Sequence, residues 1–308
     1  MQREIQHVPV LMEQVLAALA PAAGQVMVDC TTGLGGHAAE LLARLSPGGR
    51  LIGIDFDPAN LALARTRLES GRAGSFELFH NNFAALPTVL AQAGVERVDG
   101  ILADLGVASP QIDDPMRGFS YRHPGPLDMR MDPTRGQPAS ALVNRMSERE
   151  LAAALLALGD ETDAPQIAKL IVERRAVAPI TSTEELTAIV CEARDFSLKR
   201  AAGAKLHPAA RTFQALRILV NRELANLDRL LAVIPAHLKP GGTAAIISFH
   251  SGEDRRVKAA FRAGLESGVY SDVSGDPCVA SEAEQRLNPR SRSAKLRWAR
   301  LRSNRSDG

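Results

Sequence analysis

Three absences narrow the possibilities before any motif is considered. Cysteine occurs only three times in 308 residues, at Cys30, Cys191 and Cys278. The number is odd and the spacing wide, so neither a disulfide scaffold nor a zinc site is expected and a reducing compartment suits the chain. No stretch approaches the roughly 20 apolar residues of a membrane span, and Met1 to Val10 lacks the apolar run of a signal peptide. A cytoplasmic protein without membrane contact is the expectation. An excess of one charge is also missing: Lys+Arg 37 against Asp+Glu 35 leaves +2, so any surface for a polyanion has to be local. Aromatic residues are sparse at 4%, while 45% hydrophobic and 23% charged residues are ordinary for a globular chain with ample core.

What is present is a pattern of alternation. Gln25 to Cys30, Arg50 to Asp55, Ser75 to His80 and Val98 to Asp104 read as buried strands separated by helical segments, the signature of a parallel sheet built from βαβ units. After Asp104 the alternation stops. Six prolines between Ser109 and Pro138 predict a long ordered loop or linker. Ser147 with Glu150, and Ser182 with Glu185, then form capping boxes that open helices. A single helix starts near Pro208, with a stripe through Leu216, Val220, Leu224, Leu227 and Leu231. A turn at 238–242, a fifth strand from Thr243 to Phe249 and an edge strand from Lys295 to Leu301 complete the sheet. The expected organisation is an α/β domain in two parts, 1–112 and 207–308, interrupted by a helical insertion at 113–206.

The chemistry begins at the first strand end. Asp29 is followed by Gly33, Gly35 and Gly36 and then a helix near His37, a strand, glycine turn and helix N-terminus of the kind that binds nucleotide-like cofactors. Gly33, Gly35 and Ala38 also satisfy the loose dinucleotide fingerprint, with Asp55 as a ribose-binding acid, so an NAD-dependent oxidoreductase competes. Charge separates the two. A dinucleotide brings an anionic pyrophosphate, whereas S-adenosylmethionine brings a cationic sulfonium and an ammonium. Asp29, Asp55 and Asp104 all end predicted strands. Each opposite charge at about 4 Å is worth on the order of 4 kcal/mol at an effective dielectric near 20, before desolvation. Three carboxylates favour the cation, although Asp29 and Asp104 would also serve as plain turn caps. Within this site Asp55 should accept ribose hydroxyls, and the backbone of Gly35, Gly36 and His37 should cover the adenosyl group. Phe83 either stacks on adenine or is a core residue opening the next helix.

The fourth strand delivers Asp104, Ser109, Pro110 and Gln111 to the same edge. An exocyclic amine on a nucleobase has a delocalised lone pair and becomes cationic on methylation, so it needs acceptors aimed at its N–H groups. Asp104 and Ser109 are the candidates. Two clusters offer a base for the departing proton: Asp128 with Arg130, and His250 with Ser251, Glu253 and Asp254. The plainer readings are a surface ion pair and a structural histidine. Basic residues gather locally, at Arg194, Lys199, Arg200, Lys205 and Arg211, and at Arg286, Arg290, Arg292, Lys295, Arg297, Arg300, Arg302 and Arg305. Phosphate contact fits both groups, as does a solvated charged face.

These strings together resemble the ribosomal RNA small subunit methyltransferase H family. The resemblance rests on Asp29 to His37, Gly53 to Pro58, Asp104 to Gln111, Gly118-Phe119-Ser120 and Gly125 to Asp132. It continues through His207-Pro208, Arg211 to Ala215, Ser248 to Asp254 and Asn288 to Ser293, and runs from His7 to about Leu301. It implies a Rossmann-like S-adenosylmethionine-dependent methyltransferase sheet with an inserted helical domain, acting on N4 of a cytidine in the decoding region of 16S ribosomal RNA. Its partner would be the small ribosomal subunit, and a homodimer is compatible with it. Cofactor contacts implied by the resemblance fall on Gly35, Gly36, His37, Asp55, Phe83, Asp104 and Gln111. Arg130, Ser251, Asp254, Arg290 and Arg292 are the expected substrate contacts. A non-catalytic rRNA-binding assembly factor remains an alternative.

Overall fold

Runs of Val, Ile and Leu closed by Asp, Gly or Asn form the strands, and amphipathic stretches between them form the helices. A computed structural model describes residues 9–71, 74–204 and 207–303. In chain order the elements are α1 (Met12–Leu19), β1 (Val26–Asp29), α2 (Gly36–Leu45), β2 (Arg50–Asp55), α3 (Pro58–Ser70), β3 (Ser75–His80), α4 (Leu86–Gln92), β4 (Val98–Asp104) and α5 (Ser109–Asp113). There follow α6 (Ala139–Arg145), α7 (Glu148–Gly159), α8 (Ala164–Val177), α9 (Thr183–Ala193), α10 (Leu198–Ala202), α11 (Ala210–Asn221) and α12 (Glu223–His237). The chain ends with β5 (Leu238–Ser248), α13 (Ser251–Glu266), β6 (Tyr270–Val273), β7 (Cys278–Val279), α14 (Glu282–Leu287) and β8 (Lys295–Leu301). Two compact units result, one of residues 1–106 with 224–308 and the other of 107–223.

The first unit holds one sheet in the order β3-β2-β1-β4-β5-β8-β6, with β7 also on β8. Pairing is parallel from β3 to β5 and antiparallel around β8. This is the expected Rossmann-like sheet, with its switch point between β1 and β4. Because successive strand residues face opposite sides, Ile101, Ala244 and Ile246 join one core with Leu86, Leu230 and Phe261. Leu102, Ala245 and Ile247 join the other with Leu11, Leu41 and Leu45.

The second unit is helical. Its core gathers Phe119, Leu127, Met129, Leu151, Leu155, Ile167, Ile171, Leu186, Phe213 and Leu216. The Ser147–Glu150 and Ser182–Glu185 boxes open α7 and α9 as expected. At Gly159 a Cβ would lie 2.5 Å from the Arg211 carbonyl oxygen and 3.0 Å from Ala215 Cβ, so glycine permits the close crossing of α7 and α11.

Four expectations change. The helix beginning near Pro208 is two helices, broken at Arg222 in the left-handed region (φ 52). Its stripe divides accordingly, with Leu216 in the helical core and Leu227 and Leu231 in the sheet's core. The second unit therefore runs to Glu223 rather than 206, and begins at Val107 rather than 113. The turn signal at 238–242 sits inside β5, as an irregularity between Val98↔Leu238 and Gly100↔Thr243. The strand Lys295–Leu301 is internal, because β6 and β7 cover its other side. These short strands carry too few apolar residues to announce themselves. His7, Lys205 and Arg305 lie outside the described residues.

Gly159→Val should force α7 and α11 apart and destabilise the helical unit by about 2 kcal/mol. Urea unfolding followed by circular dichroism should show the lowered midpoint, while Gly94→Ala on the other unit, where φ of 67 is strained but space is open, should cost about 1 kcal/mol.

Candidate active site

Parallel strands deliver their last residues to one edge of the sheet, and in the first unit three of these residues are aspartates. Asp29 ends β1, Asp55 ends β2 and Asp104 ends β4, with β1 paired to both of the other strands. Asp29 is 1% exposed. Its Oδ1 accepts the Thr31 N–H at 3.1 Å, while its Oδ2 is buried without a hydrogen-bond partner. The Asp104 N–H donates to Thr31 Oγ1 at 2.6 Å, and Asp104 Oδ1 is likewise buried and unpartnered. Thr31 thus ties the ends of β1 and β4 together. Sequence reasoning missed it, its only signal being a hydroxyl between the aspartate and the glycine turn.

Asp55 shapes the turn itself. Its Oδ2 accepts the Gly33 N–H at 2.7 Å, and its Oδ1 accepts from Asp57 N at 2.8 Å and Asn60 Nδ2 at 3.4 Å. A carboxylate has about four lone-pair positions, so room for further donors remains. Gly35 opens α2 at φ 77, where a Cβ would come 3.2 Å from Ala64 Cα. At Gly36 a Cβ would collide with the Pro9 ring, so Pro9 lies directly over the loop. Leu11 N donates to Glu284 Oε1 at 2.7 Å and anchors the chain that follows Pro9.

His37 contributes more than the backbone expected of it. Its buried Nε2 lies 2.9 Å from the Val10 carbonyl oxygen, which accepts only, so Nε2 carries a proton. Nδ1 faces Asp104 Oδ2 at 3.7 Å. Phe83 is half-buried, opens a short 3-10 turn capped by the Asn82 side chain and packs against the core.

Electrostatics bind these residues into one device. Burial pushes Asp29 up to about 7, against the Thr31 hydrogen bond and with help from Asp55. Burial likewise raises Asp55 to about 6, against its backbone donors. Asp104 is raised well above the usual carboxylate range by burial and by the charges of Asp29 and Glu253. Adjoining carboxyls that resist ionisation, two with orphaned oxygens, are matched to a cation. S-adenosylmethionine fits: its ammonium would supply the missing donors, and its sulfonium the missing charge. A pyrophosphate would face the same carboxyls with like charge.

At the end of β5, His250 precedes α13. Glu253 Oε2 accepts Phe249 N–H at 2.8 Å and His250 N–H at 3.4 Å. His250 Nε2 lies 3.2 Å from Glu253 Oε1, close but out of hydrogen-bond alignment. Ser251 is exposed at the first position of α13. Asp254 departs from its expected substrate role: Arg297 Nε at 2.6 Å and Lys295 Nζ at 3.4 Å hold its carboxylate. Burial raises its pKa, but Arg297 and Lys295 outweigh that and hold it below the ordinary carboxylate value. Arg297 is only 4% exposed, so this pair of basic residues braces α13 on β8 rather than meeting phosphate. Arg290 and Arg292 are exposed on a 3-10 turn.

In the second unit, Ser109 and Gln111 are buried in α5. Gln111 Oε1 accepts the Ala108 N–H at 2.8 Å. Asp128 accepts from Arg130 N, Nε and Nη2 at 3.0, 2.8 and 2.6 Å. Although burial raises it, Arg130 and Arg117 hold the carboxyl of Asp128 below its ordinary range, which makes it a poor base at neutral pH. The Asp128–Arg130 fork instead shapes a segment anchored by Asn221, which bonds Met129 O and Met131 N at 2.8 Å each. Arg194 is committed to Glu161, Asp163 and the Pro208 carbonyl, and Arg211 to the Asp160 carbonyl. Among the described residues no group of His, Cys, Asp and Glu is arranged to hold a metal.

A cation pairing with these carboxyls must displace their protons. S-adenosylmethionine affinity should therefore rise by up to about tenfold per pH unit for each displaced proton below pH 6 to 7, then level off. Calorimetry in buffers of different ionisation enthalpy should record the proton release. Because the folded value of Asp29 stands above the unfolded 3.8, Asp29 by itself should cost the ligand-free protein on the order of 4 kcal/mol of stability as pH rises from about 4 to 7. Asp29→Asn should remove that share of the slope in thermal unfolding and leave the share due to Asp55 and Asp104.

A family model described as the MraW methylase family matches residues 4–302. Among similar chains, a ribosomal RNA small subunit methyltransferase H of Sorangium cellulosum is 47% identical over 296 residues, covering 96% of this chain and 90% of that one. Its namesake in Geotalea uraniireducens is 43% identical over 311 residues, covering 96% and 98%. A solved rRNA methylase from Streptococcus thermophilus superposes with a TM-score of 0.41 at 12% identity, covering 95% of each chain. With the match running almost from end to end, the chain belongs to the MraW methylase family.

Proposed function

We propose that this methyltransferase transfers the methyl group of S-adenosylmethionine to N4 of a cytidine in the decoding region of 16S ribosomal RNA, with the small subunit as substrate. The observation that carries the cofactor half is the pair of buried, unpartnered oxygens Asp29 Oδ2 and Asp104 Oδ1. The substrate half is supported by relatives 43 to 47% identical that bear the small-subunit rRNA methyltransferase name.

When bound, the cofactor supplies an electrophilic methyl carbon. This chain's residues do the rest. Asp55 holds the ribose and Asp29 the aminoacyl end, while the Gly35–Gly36 backbone covers the adenosyl group. Asp104 accepts from the amine N–H groups and orients its weak lone pair toward the methyl carbon. His250 receives the proton that leaves the methylated nitrogen. The target base must be unpaired or drawn out of its stack, since a stacked base hides N4. Recognition of the surrounding RNA falls to the helical unit and to the exposed Arg290 and Arg292.

Incubation with labelled S-adenosylmethionine and unmodified small subunits, followed by nucleoside mass analysis, should yield N4-methylcytidine; its absence would sink the proposal. Asp104→Asn should lower the single-turnover rate on the order of 100-fold. Arg290→Ala with Arg292→Ala should weaken RNA binding and reduce the slope of log affinity against log salt by about one for each phosphate left without its arginine.

A further inference from the structure

The three strand-end aspartates answer the two positive charges of the methyl donor but not its negative one. The carbon that bears the ammonium of S-adenosylmethionine also bears a carboxylate, and beside Asp29 and Asp104 that anion meets like charge unless a hydrogen-bond donor receives it. The two threonines that follow β1 differ in what they have left to donate. Thr32 is 3% exposed, and its hydroxyl gives its proton to the Asp29 and Ile54 carbonyl oxygens at 3.2 Å each. Thr32 pins β1 to β2, and its proton is spent.

Thr31 is half-buried and works the other way round. Cys30 N donates to Leu102 O at 2.8 Å, and there the ladder between β1 and β4 ends as the chain turns into the glycine loop. The next β4 amide on that side is that of Asp104, and Thr31 Oγ1 accepts from it at 2.6 Å where a backbone carbonyl would otherwise be needed. A hydroxyl that accepts one bond still carries a proton of its own. Among the described residues that proton has no acceptor, and the orphaned oxygens of the neighbouring carboxyls, Asp29 Oδ2 and Asp104 Oδ1, take no bond from it. The Thr31 N–H meanwhile holds Asp29 Oδ1 at 3.1 Å. One residue thus keeps two carboxyls in place and offers a proton beside them.

We propose that Thr31 binds the aminoacyl carboxylate of the methyl donor: its hydroxyl donates to that anion while its oxygen accepts from the Asp104 N–H. An acidic pocket then takes a zwitterion, and takes it in one orientation, with the ammonium on the aspartates and the carboxylate on the threonine. Accepting from the Asp104 amide polarises the hydroxyl and strengthens its donation to a charged acceptor. This rests on the S-adenosylmethionine reading with Asp29 at the aminoacyl end.

Decarboxylated S-adenosylmethionine keeps the sulfonium and the ammonium and lacks the carboxylate, so a comparison of the two ligands isolates this bond. Calorimetry should find Thr31→Val weakening S-adenosylmethionine about tenfold to a hundredfold more than the decarboxylated form, the range of a hydrogen bond to a charged acceptor. Disorder at Asp104 would weaken both ligands alike and cancel in that ratio, and binding of the decarboxylated form reports that the variant is folded. Thr31→Ser keeps the hydroxyl and should hold the ratio within about threefold of the unaltered protein, as should Thr32→Val, whose proton goes to carbonyls. Should the valine variant not fold, Thr31→Ala gives the same comparison. The inference is overturned if removing the Thr31 hydroxyl weakens both ligands equally or neither, or if Thr31→Ser shifts the ratio as far as valine does. Because the ratio needs no turnover, absence of N4-methylcytidine would overturn the substrate reading and leave the Thr31 contact standing on its own result. An unaltered protein that bound neither ligand would overturn both.

Discussion

Carboxyl groups buried at the ends of parallel strands are the constraint on which this molecule turns. Asp29 and Asp104 are held at adjacent strand ends through one threonine, each with an oxygen that has nothing to accept. Such groups are expensive to bury as anions and raise their proton affinity in response. Everything that keeps them dry is costly unless a cation arrives: the sheet covered on both faces, the glycine turn tied to Asp55, and Pro9 laid over Gly36. Local stability is given up where a positively charged donor restores it.

Two histidines follow from the same constraint. His37 bridges the Val10 carbonyl and Asp104, so its Nε2 is set by an oxygen, and His250 lies beside Glu253 without a hydrogen bond to it. Two basic residues of the C-terminal run, Lys295 and Arg297, neutralise Asp254 and keep α13 in place. In the helical unit, the charged groups that stood out in sequence are largely engaged with one another or with carbonyls, as in Asp128 with Arg130 and Arg194 with Glu161 and Asp163. A run of charge is ambiguous because the same guanidinium that neutralises a phosphate also caps a carbonyl or braces a helix.

Legibility differed sharply by kind of feature. Strands β1, β2 and β4 were plain because a strand covered on both faces is apolar along most of its length, whereas β3, expected to be buried like them, is the edge strand and stays partly exposed. The glycine turn and its aspartates were plain because only a few residue types satisfy that backbone and that charge. Strands β6 and β7 were not, since Tyr270 to Val273 and Cys278 to Val279 are short and depend on β8 for their pairing. The single helix expected after Pro208 failed at Arg222, where no glycine or proline warns of the left-handed break. Thr31 was invisible as a site residue because it acts through the backbone of a residue on another strand.

The amino-acid sequence by itself determined the class of sheet, the aspartate at the end of each critical strand and the preference for a cationic donor, since these depend on residue type and local spacing. Only the tertiary structure decided which oxygens are left without partners, which arginines are already spent, and where one helical stripe is divided between two cores. Those outcomes depend on distances between residues remote in the chain, and no local pattern encodes them.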